Sequence, residues 1–195
     1  GEISIEKNPK NAAILYPSFT CLWYETGATA PLIIGGKSGI ELYNEQIGRD
    51  ITKDEGVTVV SDSSSGGSWD VEAIIAYKPD LIVCSMGMKG YSTIGSAAEA
   101  ANIPVIAIQY DHVQDYLKWF KVFCNINGHP EAWEAVANAT AEKIIEIVSK
   151  VPADAVAPKI AILGVVSGKL RAYGTEAAAG TILNELGGIN VFDDG

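Results

Sequence analysis

Side chains that commonly hold metals or act as nucleophiles are scarce in this sequence, with three cysteines and two histidines among 195 residues. Cys21, Cys84 and Cys124 form no CxxC pair and no Cys/His cluster, so no zinc site is indicated. Cys84 closes the apolar run Leu81-Ile82-Val83, and Cys124 follows Val122-Phe123, so both read as buried free thiols. Such thiols do not settle the redox compartment. Positive charge is also short: 14 basic residues face 24 acidic ones, a net charge of −10. That surface repels phosphate backbones and anionic lipid headgroups, which argues against nucleic-acid partners and against lying on a membrane. No apolar run is long enough to span a bilayer.

Cofactor and catalytic signatures are missing too. There is no GxGxxG, HExxH or GxSxG element. Gly36-Lys37-Ser38 follows the run Leu32-Ile33-Ile34 like the end of a phosphate loop, but the required first glycine is Pro31. A turn and helix start is the reading this leaves. His129 lies in a Gly-His-Pro turn and reads as a surface residue. His112 follows Asp111 at a helix start. A Cys84–His112 or Ser85–His112 pair lacks a recognisable third group to orient it. No enzyme and no bound cofactor is therefore expected.

What is present is a repeated alternation. Apolar strand-like runs at residues 12–16, 80–84 and 159–166 each lead through small or polar residues into a helical stretch, at about 18–26, 93–101 and 176–186. A turn and a further apolar run follow each time, at 32–34, 105–108 and 189–192. Short buried strands alternating with helices predict an α/β fold with parallel sheets covered on both faces. Ser18 and Thr93 are candidate helix N-caps, and Gly27 and Gly187 suit the left-handed position that ends a helix. Asp70 precedes a short helix, Val71 to Ala76, which Lys78-Pro79 stops. Residues 111–125 and 130–150 read as two further helices separated by Gly128-His129-Pro130. The Pro- and Ala-rich stretch 151–158 then marks a boundary near residue 150.

The order of several segments carries a resemblance. Ile14-Leu15-Tyr16-Pro17-Ser18-Phe19-Thr20 leads into Thr26-Gly27-Ala28. Asp70-Val71-Glu72-Ala73-Ile74-Ile75-Ala76 runs into Lys78-Pro79-Asp80-Leu81-Ile82-Val83. Asn102-Ile103-Pro104-Val105 and Leu183-Asn184-Glu185-Leu186-Gly187-Gly188-Ile189-Asn190 come after them. Together they resemble the iron-siderophore and cobalamin binding proteins of ABC importers, the class III periplasmic binding proteins.

That resemblance implies two Rossmann-like α/β lobes with parallel sheets, joined by a long helix, with the second lobe truncated. The division would be 1–128 for the first lobe, 129–152 for the connecting helix and 153–195 for the start of the second. The opening Gly-Glu-Ile-Ser, without a signal segment, reads as a processed or engineered terminus, and the end after an apolar run reads as a cut inside a larger protein. The ligand implied is an iron-siderophore or related metal chelate, delivered to a membrane permease. The location implied is periplasmic or extracellular and associated with the cell envelope, where a lipid anchor is one means of attachment. The full-length protein would be a monomer. Departing from many relatives, the first helix carries Thr20-Cys21 where they have Thr-Glu.

Ligands of open α/β sheets sit beyond the carboxyl ends of the strands. This makes Ser18, Phe19, Met86, Met88, Tyr91, Tyr110, Arg171 and Tyr173 candidate ligand-binding residues, with Trp69 in the loop before the short helix. Arg171 and Lys89 are suited to an anionic complex. Core packing for Trp69, Met86 and Met88, and a solvated arginine for Arg171, stand as the alternatives. Glu72 and Glu185 fall where the family places its transporter-docking acids. A sensor module on the same fold, or a cofactor-binding α/β domain, are the competing functions.

Overall fold

The computed structural model describes residues 4–28, 32–35, 39–61, 69–110, 113–166 and 168–193. Its centre is a parallel sheet in the order β3-β2-β1-β4-β5, formed by β1 (Ala12–Ile14), β2 (Leu32–Gly35), β3 (Val57–Ser61), β4 (Leu81–Ser85) and β5 (Val105–Ile108). The two central strands explain why their sequences are apolar without alternation. Ala12, Ala13 and Ile14 of β1, and Leu81 to Cys84 of β4, are all 0% exposed, as strands covered on both faces must be. The crossovers are helical: α1 (Pro17–Glu25), α2 (Glu41–Ile47), α3 (Val71–Ala76) and α4 (Tyr91–Ala100). A short 3₁₀ turn, Ile51–Lys53, precedes β3.

Two helix starts differ from the sequence expectation. Ser18 is not an N-cap, because the helix begins one residue earlier with Pro17, a residue pre-set for the first helical position; Tyr16 occupies the cap. Thr93 likewise lies inside α4, which Gly90 caps. Asp70 does cap α3, its carboxylate accepting the Ala73 amide at 2.9 Å. Gly27 and Gly187 take the left-handed conformation expected after a helix, with φ of 78° and 79°.

The Lys-Pro-Asp segment proves to be an anchor. Lys78 adopts φ 50° ahead of Pro79, where the helical region is disfavoured. The Asp80 carboxylate accepts the backbone amides of Lys10 at 2.6 Å and Asn11 at 3.1 Å. The Asp80 amide donates to the Asn11 carbonyl at 2.8 Å, and the Asn11 side chain donates to the Tyr77 carbonyl at 2.8 Å. These bonds hold the amino-terminal segment beside the entry to β4.

Two long helices come next, α5 (Val113–Ile126) and α6 (Pro130–Val148). Contacts divide the chain into two units, residues 1–109 with 120–133 and residues 110–119 with 134–195, so the division falls inside both helices. In the first unit the α5–α6 turn is tied to α1. The Asn127 side chain donates to Thr26 Oγ1 at 2.9 Å, and that hydroxyl donates to the Trp23 carbonyl at 2.6 Å.

The second unit contains β6 (Lys159–Ile160), β7 (Ile162–Val166), β8 (Lys169–Tyr173), α7 (Ala178–Glu185) and β9 (Ile189–Asn190). The expected single strand over 159–166 is broken at Ala161. Its first part, β6, pairs in parallel with β9 across α7, as a βα unit should. Its second part, β7, instead forms an antiparallel hairpin with β8. Gly168, with φ 74°, supplies the turn conformation that reverses the chain there. Leu163, Val165 and Leu170 share one face of this hairpin and are 55%, 71% and 70% exposed. Asn190 is 1% exposed and latches the unit: its side chain donates to the Tyr173 carbonyl at 2.7 Å and accepts the Phe192 amide at 3.2 Å. Gly180 is required by space, because a Cβ there would lie 2.1 Å from the Gly174 carbonyl oxygen.

Candidate functional site

The strand order creates the crevice. β1 connects through α1 to β2 on one side, while β4 connects through α4 to β5 on the other. The loops leaving β1 and β4, neighbours in the sheet, therefore diverge and open a cleft at their carboxyl ends.

On the β1 side, Leu15 and Pro17 are buried and Ser18 is exposed at the amino end of α1. The Tyr16 carbonyl accepts the amides of Phe19 at 3.1 Å and Thr20 at 3.0 Å, and the cap has no side-chain partner. The positive end of the α1 dipole thus faces the cleft mouth with Ser18. Phe19 is 2% exposed and packs on the Tyr16 ring at 4.9 Å. It is a packing residue of α1, because the helix starting at Pro17 turns residue 19 inward.

On the β4 side a tight turn is fixed by three bonds. The Ser85 carbonyl accepts the Met88 amide at 3.2 Å, the Ser85 hydroxyl accepts the Gly87 amide at 3.3 Å, and the Met88 carbonyl accepts the Tyr91 amide at 3.0 Å. Met86 is 47% exposed on this turn, and Lys89 is exposed beside it. Met88 and Tyr91 are half-buried, packed on the cluster that contains Leu15, Cys84 and Trp69. Trp69 is 8% exposed. It therefore lies beneath the crevice and not as a free ring at its edge.

Ser18, Met86, Met88, Tyr91 and Trp69 are thus gathered on the first unit. Tyr110, Arg171 and Tyr173 belong to the second. Tyr110 is 45% exposed. Arg171 is exposed on β8 opposite Gly164. Tyr173, half-buried, ends β8, and its ring fills the space that a side chain on Gly164 would take. Ser167, Asp111 and His112 lie outside the described residues, as do residues 36–38 of the near-miss phosphate loop.

Glu72 is exposed in the first turn of α3. Glu185, also exposed, ends α7 on the rim of an apolar groove of 270 Å³. Gln114, Leu117, Ile144, Ile147, Val148, Ile182 and Leu186 complete that groove.

Burial disfavours the thiolate form of all three cysteines. Burial pushes Cys84 up to about 12. Cys21 and Cys124 are raised to about 11, chiefly by burial, with a nearby carboxylate, Glu25 and Glu131 respectively, adding to it. Among the described residues no group of three or more His, Cys, Asp or Glu could hold a metal ion. No helix among them is long and apolar enough to cross a membrane. A residue that motif reasoning passed over is Gly35, at the end of β2 directly under Trp69. Its signal was the glycine pair Gly35-Gly36 closing an apolar strand.

Comparison with known proteins places this geometry. A family model described as periplasmic binding protein matches residues 13–195. No curated protein matches the chain at a significant level. Among solved structures, the vitamin B12 binding protein BtuF of Vibrio cholerae is 13% identical with a TM-score of 0.74, over 96% of this chain and 68% of that one. A protein of Staphylococcus epidermidis, titled a possible iron-binding, periplasmic solute-binding protein, is 17% identical with a TM-score of 0.69, over 97% of this chain and 69% of that one. The catecholate-siderophore binding protein VctP of Vibrio cholerae is 15% identical with a TM-score of 0.69, over 95% of this chain and 63% of that one. The likeness shows a shared fold, of which this chain spans about two thirds.

Proposed function

The chain belongs to the periplasmic binding protein family, and from that premise we propose that it is the substrate-binding component of an ABC importer that captures a metal chelate. The family is one of binding proteins, not enzymes. The observation that carries the reading is the strand order, which puts the switch in connection direction between β1 and β4, where open α/β sheets hold ligands, with Ser18 following β1 and Met86, Met88 and Tyr91 following β4. Structural neighbours titled for vitamin B12 and for a catecholate siderophore support a large metal complex as the ligand class. Methionine and aromatic side chains suit such a ligand, being polarizable and adaptable apolar surface. Arg171, Lys89, Tyr110 and Tyr173 are the remaining candidates to meet it. The protein would work outside the cytoplasm as a monomer. Glu72 and Glu185 would meet basic side chains of the permease, steering and orienting docking.

The test is a fluorescence titration with ferric siderophores, haem and cobalamin. Trp69 lies under the crevice, so a bound chelate absorbing in the visible should quench emission saturably, and Met86→Ala with Tyr91→Ala should weaken the response. Absence of saturable quenching by any of these chelates in a folded chain would sink the metal-chelate reading.

A further inference from the structure

Gly35 stands at an irregularity. Ile34 of β2 pairs with Val59, but Gly35 pairs with Ser61, so the register against β3 slips by one residue between them. Bulges of this kind bend a strand and re-aim the residues beyond it, and a glycine at one often marks a close approach. The φ of Gly35 lies outside the left-handed region. Backbone conformation therefore does not demand glycine here; space does.

A Cβ built on Gly35 would lie 3.0 Å from Trp69 Nε1, 3.2 Å from Leu15 Cα and 3.4 Å from Leu15 Cδ2. Ordinary carbon contacts are about 3.5–4.0 Å, so something would have to move. Leu15 is poorly placed to do so. Its Cα is main chain, and its amide donates to the Val83 carbonyl at 2.8 Å, which fixes β1 to β4. The indole is the part free to yield. Trp69 Nε1 is buried and has no hydrogen-bond partner among the described residues. Packing alone sets where this ring lies.

We infer that Gly35 is a positioning residue: its bulge and missing side chain let the indole of Trp69 seat against the carboxyl ends of β1 and β2 as the fixed floor of the ligand crevice. Its consequence for binding rests on the receptor reading above. Met88 and Tyr91 pack on the same cluster as Trp69, so a displaced indole disturbs the crevice wall as well as its floor.

The experiment compares the full chain with Gly35→Ala, Trp69→Phe and the double variant. Subtracting the Trp69→Phe spectrum from wild type isolates Trp69 emission; the same subtraction in the Gly35→Ala background shows what the added methyl does. A red shift and stronger acrylamide quenching of Trp69 in Gly35→Ala are expected, and an unchanged Trp69 spectrum overturns the inference. For whichever ferric siderophore, haem or cobalamin binds wild type, Gly35→Ala should raise Kd by about tenfold. That loss should shrink when residue 69 is phenylalanine; an equal loss in both backgrounds means Gly35 does not act through Trp69. If no chelate binds wild type, the receptor reading fails while the emission comparison still decides the role of Gly35. Should Gly35→Ala not fold, the double variant Gly35→Ala with Trp69→Ala, which removes the shortest of the three contacts, is expected to fold; its failure to do so also overturns the inference.

Discussion

Replacing Thr26 with valine tests how the first unit is closed. Thr26 is 1% exposed and Asn127 is 7% exposed, and they meet across 101 residues of sequence. Valine keeps the shape of threonine but removes the hydroxyl. Asn127 Nδ2 then loses its acceptor in a place water does not reach, and the Trp23 carbonyl loses one of its donors. A buried group left without a partner costs about 1–3 kcal/mol. With a urea slope of about 2 kcal/mol/M, a loss near 2 kcal/mol moves the midpoint down by about 1 M. Urea unfolding followed by tryptophan emission reports on this region, because Trp23 packs edge-on against Phe123 at 5.3 Å beside the pair. The second arm is Asn127→Leu, alone and combined with Thr26→Val. Removing both partners should cost less than the sum of the single changes, by about 0.5–3 kcal/mol of coupling. Additive costs, or an unmoved midpoint in Thr26→Val, would refute the claim that this bond ties the α5–α6 turn to α1.

Four other outcomes can be checked. All three thiols are raised by burial, Cys84 to about 12; the unfolded chain therefore loses thiol protons at lower pH than the folded one, and stability should fall as pH rises from about 9 toward 12. In the native chain at pH 8, alkylation followed by mass spectrometry should label half-exposed Cys21 first, and Cys84 and Cys124 only after denaturant is added. Asp80→Ala frees the Lys10 and Asn11 amides at an exposed site, so it should cost about 1 kcal/mol in urea unfolding and speed hydrogen exchange at those two amides. Gly180→Ala would force a methyl onto the Gly174 carbonyl; the second unit should lose its protection against proteolysis, while the tryptophan signal of Trp23 in the first unit is retained.

The parallel sheet was legible because strands covered on both faces must be apolar throughout, and β1 and β4 are. Helix ends were legible where one residue does the work, as at Asp70, Gly27 and Gly187. The reading slipped where two residues compete. Pro17 outranks Ser18 as a helix start, and Gly90 displaces Thr93. It slipped again over 159–166, where a buried parallel strand and one half of a hairpin share the same apolar composition. Only the turn at Gly168 distinguishes them. Phe19 is a candidate for its nearness to a strand end and Trp69 for its place in the loop before the short helix, where core packing is the alternative. Sequence gives these positions but not which way a helical turn or a loop directs a ring, and both rings are buried.

The most recognisable segments turn out to hold the fold together. Asp80 of the Lys-Pro-Asp run binds the amino-terminal segment, and Asn190 after the paired glycines latches β8 to the stretch following β9. Changing either lowers stability, whatever ligand is carried, so these residues mark the architecture and say little about the cargo. The turn after β4 is different. Its shape is set by the Ser85 hydroxyl and by main-chain bonds among Ser85, Gly87, Met88 and Tyr91, which leaves the side chain of exposed Met86 outside the network. Met86 can therefore be exchanged without disturbing the turn that presents it. Replacing it with tyrosine or lysine should leave urea stability within about 0.5 kcal/mol while changing the order in which ferric siderophores, haem and cobalamin are preferred. A variant set that loses stability and preference together would mean that this turn is part of the frame and not the selective wall.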